Sequence, residues 1–168
     1  MEKHEPWPMA VRKFFSAPHD NNPYATTETM RSYDQILRNA VADRISHVAA
    51  FWRKKAQELG QNIPLPTRDN PFPSTQQINA AKHVRAIAGN LSQWASQIAA
   101  LEVPAQDRVH HRVQNAPLLL DTLIAVDQAL INSVNELEQA REVADITANL
   151  QAFEKCLRDR EQLLRDIP

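Results

Sequence analysis

Glycine is nearly absent from this chain. Gly60 and Gly89 are the only two among 168 residues, where average usage would supply roughly 12. Dinucleotide-binding turns, P-loops and nucleophile elbows each need glycines at short fixed spacings, so that backbone N–H groups can approach a phosphate or an oxyanion. None of these can be written here. Cysteine is as scarce: Cys156 stands alone, which excludes an internal disulfide and a Cys-rich zinc site and predicts a reducing compartment. No run approaches the ~18 apolar residues of a membrane span. The opening segment carries Glu2, Lys3, Glu5, Arg12 and Lys13, broken by Pro6 and Pro8, so it lacks the apolar centre of a signal peptide. A cytoplasmic protein with no membrane partner is the expectation.

What is present is ordinary in amount and uneven in placement. Hydrophobic residues are 43% and charged residues 23%, for a net charge of −1. Residues 1–115 hold 14 Lys/Arg against 10 Asp/Glu, and residues 116–168 hold 5 against 10. All six histidines lie in the first part. So mild an asymmetry gives no clear footprint for nucleic acid or membrane.

The eleven prolines divide the chain. Residues 1–26 read as an N-terminal arm: Pro6, Pro8, Pro18 and Pro23 forbid a long helix, while Trp7, Met9, Val11, Phe14, Phe15 and Tyr24 are too apolar for a solvated tail. A short helix over Met9–Phe15 fits between them, and the arm either packs on its own domain or anchors a partner through its aromatics. From Thr26 or Thr27 to Leu59, apolar residues step by three or four from Met30 to Trp52, one face of a helix. The threonines suit its N-cap, and Gly60 stands where a left-handed C-cap belongs. Residues 60–73 hold four prolines and read as a stiff connector. Ser74 with Gln77 predicts a capping box opening a second helix, whose stripe of Val84, Ile87, Leu91, Trp94, Ile98 and Leu101 has a seven-residue repeat. Gly89 inside it suggests a close helix contact or a bend.

Pro104 suits a first helical position, so residues 104–116 predict a short extra helix or the kinked start of a longer one. Beyond Pro117 two apolar stripes lie side by side: Leu119, Leu123, Val126, Leu130 and Leu137, then Leu120, Ile124, Ile131 and Val134. So broad an apolar arc places this helix centrally. A last stripe, Ile146, Leu150, Phe153, Leu157, Leu164 and Ile167, is one residue out of phase. That slip predicts two helices with a turn near 139–145 and Asp145 as N-cap, against one continuous helix to Asp166. With no alternating strand pattern, the expectation is an all-α fold. Residues 27–168 would form an antiparallel four-helix bundle, carrying the proline-rich arm and a short extra helix. The alternative is an elongated helical hairpin that dimerises.

Candidate chemistry is sparse. A di-iron bundle needs Glu-x-x-His pairs, and the sequence contains none. Asp43 with His47 and Asp107 with His111 are four residues apart, which puts each pair on one helix face. They are the weak candidates for a metal-dependent enzyme, and surface ion pairing explains them as well. No cofactor and no catalytic residue is assigned. Arg53, Lys54 and Lys55 follow Phe51 and Trp52, and Arg108 and Arg112 flank two histidines. Cations beside aromatics are how single strands are held without sequence readout, but three cations near a helix end also complement its dipole. Cys156, beside Phe153 and Leu157, reads as a structural thiol.

The closing run Leu-Gln-Ala-Phe-Glu-Lys-Cys-Leu-Arg-Asp-Arg-Glu-Gln-Leu-Leu-Arg-Asp-Ile, residues 150–167, resembles the C-terminal helix of the primosomal replication protein PriC family, small helical accessories of replication restart. The resemblance covers this helix alone, and that family is basic where this chain is not. It implies a nucleic-acid-associated accessory role. The leading expectation is a non-catalytic interaction or assembly subunit whose partner is another protein or a second copy. Trp7, Phe14 and Phe15 of the arm and Phe72 of the connector would be the contacts, since aromatic anchors dominate interface energetics.

Overall fold

A computed structural model of the chain describes residues 6–69, 72, 74–101 and 117–165. Among the described residues the protein is all-α, with five α-helices and no strand. In order they are α1 (Met9–Ser16), α2 (Thr27–Gln61), α3 (Thr75–Ala100), α4 (Pro117–Gln139) and α5 (Val143–Arg165), with a 3-10 turn at Pro23–Ala25 before α2.

The helix starts follow local chemistry. Thr26 Oγ1 accepts the Thr29 N–H at 3.1 Å while Thr29 Oγ1 accepts the Thr26 N–H at 3.2 Å, a reciprocal cap for α2. Ser74 Oγ accepts the Gln77 N–H at 3.5 Å and opens α3. The stop expected at Gly60 is corrected. α2 runs through Gly60 to Gln61, no glycine has positive φ, and Asn62 closes the helix in a right-handed conformation. Pro64 lies just beyond and cannot continue the ladder. Gly89 is corrected too: α3 is unbroken across it, and a Cβ there would meet nothing within 4 Å. The expected helix over 104–116, with Pro104, Asp107, Arg108, His111 and Arg112, lies outside the described residues.

The chain from Pro117 to Arg165 forms two helices, as the phase slip predicts. The break falls at 140–142, so Asp145 sits in the first turn of α5 and not at its cap. No glycine or proline is needed, because side chains satisfy carbonyls of the last turn of α4 and of the break itself. Arg141 Nη1 donates to the Glu138 and Ala140 carbonyls at 2.7 and 2.9 Å, Asn149 Nδ2 to the Glu136 carbonyl at 3.0 Å, and Lys55 Nζ to the Arg141 carbonyl.

Pairwise contacts fix the helix directions. α2 and α3 run antiparallel: Arg38 reaches the Leu101 carbonyl, and Arg53 reaches Ser92. α4 and α5 are antiparallel as well, through Asp127 with Arg160 and Glu136 with Asn149. α2 and α4 run the same way, since Tyr33 meets Asp127 and Arg44 meets Glu138. One apolar cluster joins all five helices, with Trp52, Leu91, Leu123 and Phe153 at its centre.

The arm belongs to this core. Phe14 is 0% exposed and Val11 nearly so, and Trp7 and Phe15 pack half-buried against the cluster. Phe14 meets the rings of Tyr24 and Tyr33 edge-on, with centroids 5.9 and 5.3 Å away. Trp7 Nε1 donates to Asn135 Oδ1 at 3.2 Å, and the Arg44 guanidinium lies 4.2 Å over the indole.

Candidate functional site: a buried charge cluster

Charged side chains are almost never fully buried unless paired, so those that are buried mark the first place to look. Asp34 and Arg38 lie one turn apart on α2, Asp127 on α4 and Arg160 on α5, and all four are buried. Arg160 is the hub. Its Nε meets Asp127 Oδ1 at 2.7 Å, and its Nη1 meets Asp34 Oδ1 at 2.8 Å. Asp34 Oδ2 also pairs with Arg38 Nε at 2.8 Å. Arg38 continues to the Leu101 carbonyl at the end of α3, a favourable place for a cation. Tyr24 and Tyr33 donate their hydroxyls to Asp127 Oδ2 at 2.7 and 3.2 Å. Two carboxylates and two guanidiniums make the cluster formally neutral, and it ties α2, α4, α5, the α3 terminus and the 3-10 turn.

The electrostatics follow from depth. Burial raises the Tyr24 and Tyr33 hydroxyls far above the ordinary tyrosine value, and the Asp127 carboxylate adds to the effect. Burial alone would lower Arg160, but Asp127, Tyr24 and Asp34 outweigh it and hold the guanidinium charged. The tyrosine shifts set a pH window. A group whose folded pKa is raised contributes stability present below its unfolded value, near 10 for tyrosine, and lost as pH rises beyond it. Melting temperature is therefore expected to fall from about pH 10 upward, and less steeply in Tyr24→Phe than in the natural chain. Parallel slopes in melts between pH 8 and 11 would contradict the assignment.

Each carboxylate is occupied by guanidiniums or hydroxyls. Buried ion pairs contribute little net stability, and their best-attested role is to fix register, because misalignment strands a desolvated charge. Here Asp34, Asp127 and Arg160 fix α2, α4 and α5 against one another.

No family model matches this chain, and neither the curated proteins nor the solved structures contain a match to it. Its own geometry is thus what bears on function.

The residues nominated from the sequence are dispersed. Asp43 and His47 are both exposed on α2, and no group of three or more His, Cys, Asp or Glu able to hold a metal occurs among the described residues. Arg53 donates to Ser92 Oγ at 2.9 Å, and Lys55 lies 4.8 Å over the buried Trp52 ring, while Lys54 is exposed. Among the proposed partner contacts, Phe14 lies in the protein's own core and is out of a partner's reach in this fold. Trp7 and Phe15 are half-buried on that core, and Phe72 is 80% exposed. Cys156 is half-buried against the core.

Sequence reasoning missed the charge cluster, although a signal existed. The stripe of α5 steps from Leu157 to Leu164, and one stripe of α4 from Ile124 to Ile131. Arg160 and Asp127 fall in those two gaps. A charge at the empty position of an otherwise apolar heptad is the mark of a buried ion pair.

Proposed function

We propose that the protein is a non-catalytic helical interaction subunit that docks through its proline-rich connector. The reading includes a finer architecture, with α2, α3, α4 and α5 as an antiparallel four-helix bundle stapled by the charge cluster. The observation that carries it is the placement of exposed apolar side chains. Leu65 and Phe72 are 84% and 80% exposed, the highest values among the large exposed hydrophobics, and both stand on the connector between α2 and α3. Proline restricts the chain at Pro64 and Pro66 on either side of Leu65. Less conformational freedom is therefore lost when the segment docks, and proline-rich segments fit aromatic-lined grooves on this account. Arm residues Trp7, Phe14 and Phe15 serve the fold in this reading, and the contact role passes to the connector.

The test uses the full chain. Leu65→Ser with Phe72→Ser is expected to leave the helical circular dichroism spectrum and melting temperature unchanged. It should remove a protein that co-purifies with the natural chain from its native cells, or, if the partner is a second copy, shift sedimentation from dimer to monomer. Loss of at least tenfold in association is the expected size, since two exposed aromatic or aliphatic anchors each contribute about 1–2 kcal/mol. A double variant that associates as the natural chain does would overturn the connector's role.

A further inference from the structure

The hollow beside α2 and α3 has a composition the interaction reading does not use. It measures about 400 Å³ and is lined by Arg53, Ala56, Gln57, Gly60, Gln61 and Arg85. Arg53, Gln57 and Gln61 succeed one another at four-residue intervals, so they form one row along α2 of about 12 Å, and Arg85 faces them from α3. Ala56 and Gly60 are the two smallest of the six. A Cβ on Gly60 would meet nothing within 4 Å, so the space above it is open. The lining contains two guanidiniums and two carboxamides and no carboxylate.

The charge around it extends the pattern. Residues 46–92 carry six Lys/Arg against two Asp/Glu in a chain of net charge −1. Lys54 and Lys82 are exposed, and Lys82 lies one turn from Arg85. Arg53 spends one N–H on Ser92, and a guanidinium has five to give.

We propose that this hollow is a phosphate seat for single-stranded nucleic acid. A row of donors about 12 Å long accepts more than one phosphate of a strand, which carries a charge every ~3.4 Å when stacked. Carboxamides offer both a donor and an acceptor, which suits base edges alongside phosphates. The four polar lining residues are exposed on two helices, so a flexible strand follows their layout more readily than a rigid duplex. This site is independent of the connector and of the interaction reading.

Fluorescence anisotropy of a labelled 20-nucleotide oligothymidylate with the full chain in 50 mM salt tests it. Binding at micromolar Kd is expected, weakening with salt. Arg85→Glu should weaken it about tenfold and lower the log–log salt slope by about 1. Gly60→Leu should weaken it similarly by filling the recess without changing charge, and Gln57→Glu is a second variant should Gly60→Leu fail to fold by circular dichroism. Lys155→Glu, the same charge change at an exposed site on α5, should stay within twofold. The proposal is overturned by no binding at 50 mM salt, by unchanged affinity in Arg85→Glu, in folded Gly60→Leu or in Gln57→Glu, or by tighter binding of a 20-base-pair duplex or of anionic vesicles.

Discussion

Asp127→Ala is expected to lower the unfolding free energy by about 3–5 kcal/mol, and the melting temperature by roughly 10 °C. Asp127 is fully buried, and one of its oxygens accepts two tyrosine hydroxyls while the other meets Arg160. Truncation leaves both hydroxyls unpaired and the Arg160 guanidinium balanced by Asp34 alone. Breaking a buried pair costs more than the pair ever contributed, because the surviving charge stays desolvated. Asp127→Asn should therefore be nearly as damaging as alanine, although it preserves shape. Asp127→Leu combined with Arg160→Met should lose less than either single change, since the pair is removed as a unit. Chemical denaturation of the five variants reads this directly. A double variant whose loss equals the sum of the singles would show that the two side chains are not energetically coupled.

Phe14→Ala is the second large effect, expected at about 3–5 kcal/mol. Of the two readings the sequence allows for the arm, packing on its own domain or docking a partner, the second expects that removing residues 1–24 leaves the remaining helices folded. The structure argues otherwise. That deletion takes away Phe14 and Val11 from the core, Trp7 from its stack on Arg44, and Tyr24 from Asp127. Phe14 also contacts the two tyrosines that serve Asp127, so its truncation and Asp127→Ala should fall short of additive, as neighbours in one network do. An arm deletion that melts within ~3 °C of the full chain, on a scale of ~2–4 °C per kcal/mol for this size, would restore the docking role.

Much of the fold is legible in the sequence because helices advertise themselves locally. The stripe from Met30 to Trp52 predicts α2, and the repeat from Val84 to Leu101 predicts α3, since each needs only its own residues to define a face. Ends are harder. Gly60 has the composition of a stop, yet the helix continues through it because nothing there requires a left-handed residue, and Pro64 supplies the termination a turn later. The α4–α5 break is legible only as a phase slip. The groups that cap it include Lys55, far away in the chain, so no local signal announces them. The charge cluster is the extreme case. Asp34–Arg38 is a visible four-residue pair, but what makes it buried is Arg160, more than a hundred residues later. Residue type, on which the metal and nucleic-acid candidates rest, says nothing about convergence. Asp43 and His47 remain exposed, while Arg53 and Arg85 line one hollow, a juxtaposition that spacing alone could not reveal.

The cluster also bears on the order of events in folding. α2 with α3, and α4 with α5, are helical hairpins whose contacts are close in sequence and so form early. Asp34 and Arg38 sit on one hairpin, Asp127 and Arg160 on the other. Until the hairpins meet, each keeps its charges hydrated. When they meet in the native alignment, Arg160 gains Asp34 as a second partner and Asp127 gains the Tyr33 hydroxyl as water leaves, and a shift of one helical turn would forfeit both. Docking is thus made discriminating by electrostatics that the separate halves do not possess, and partly docked states pay a desolvation cost that the completed structure recovers.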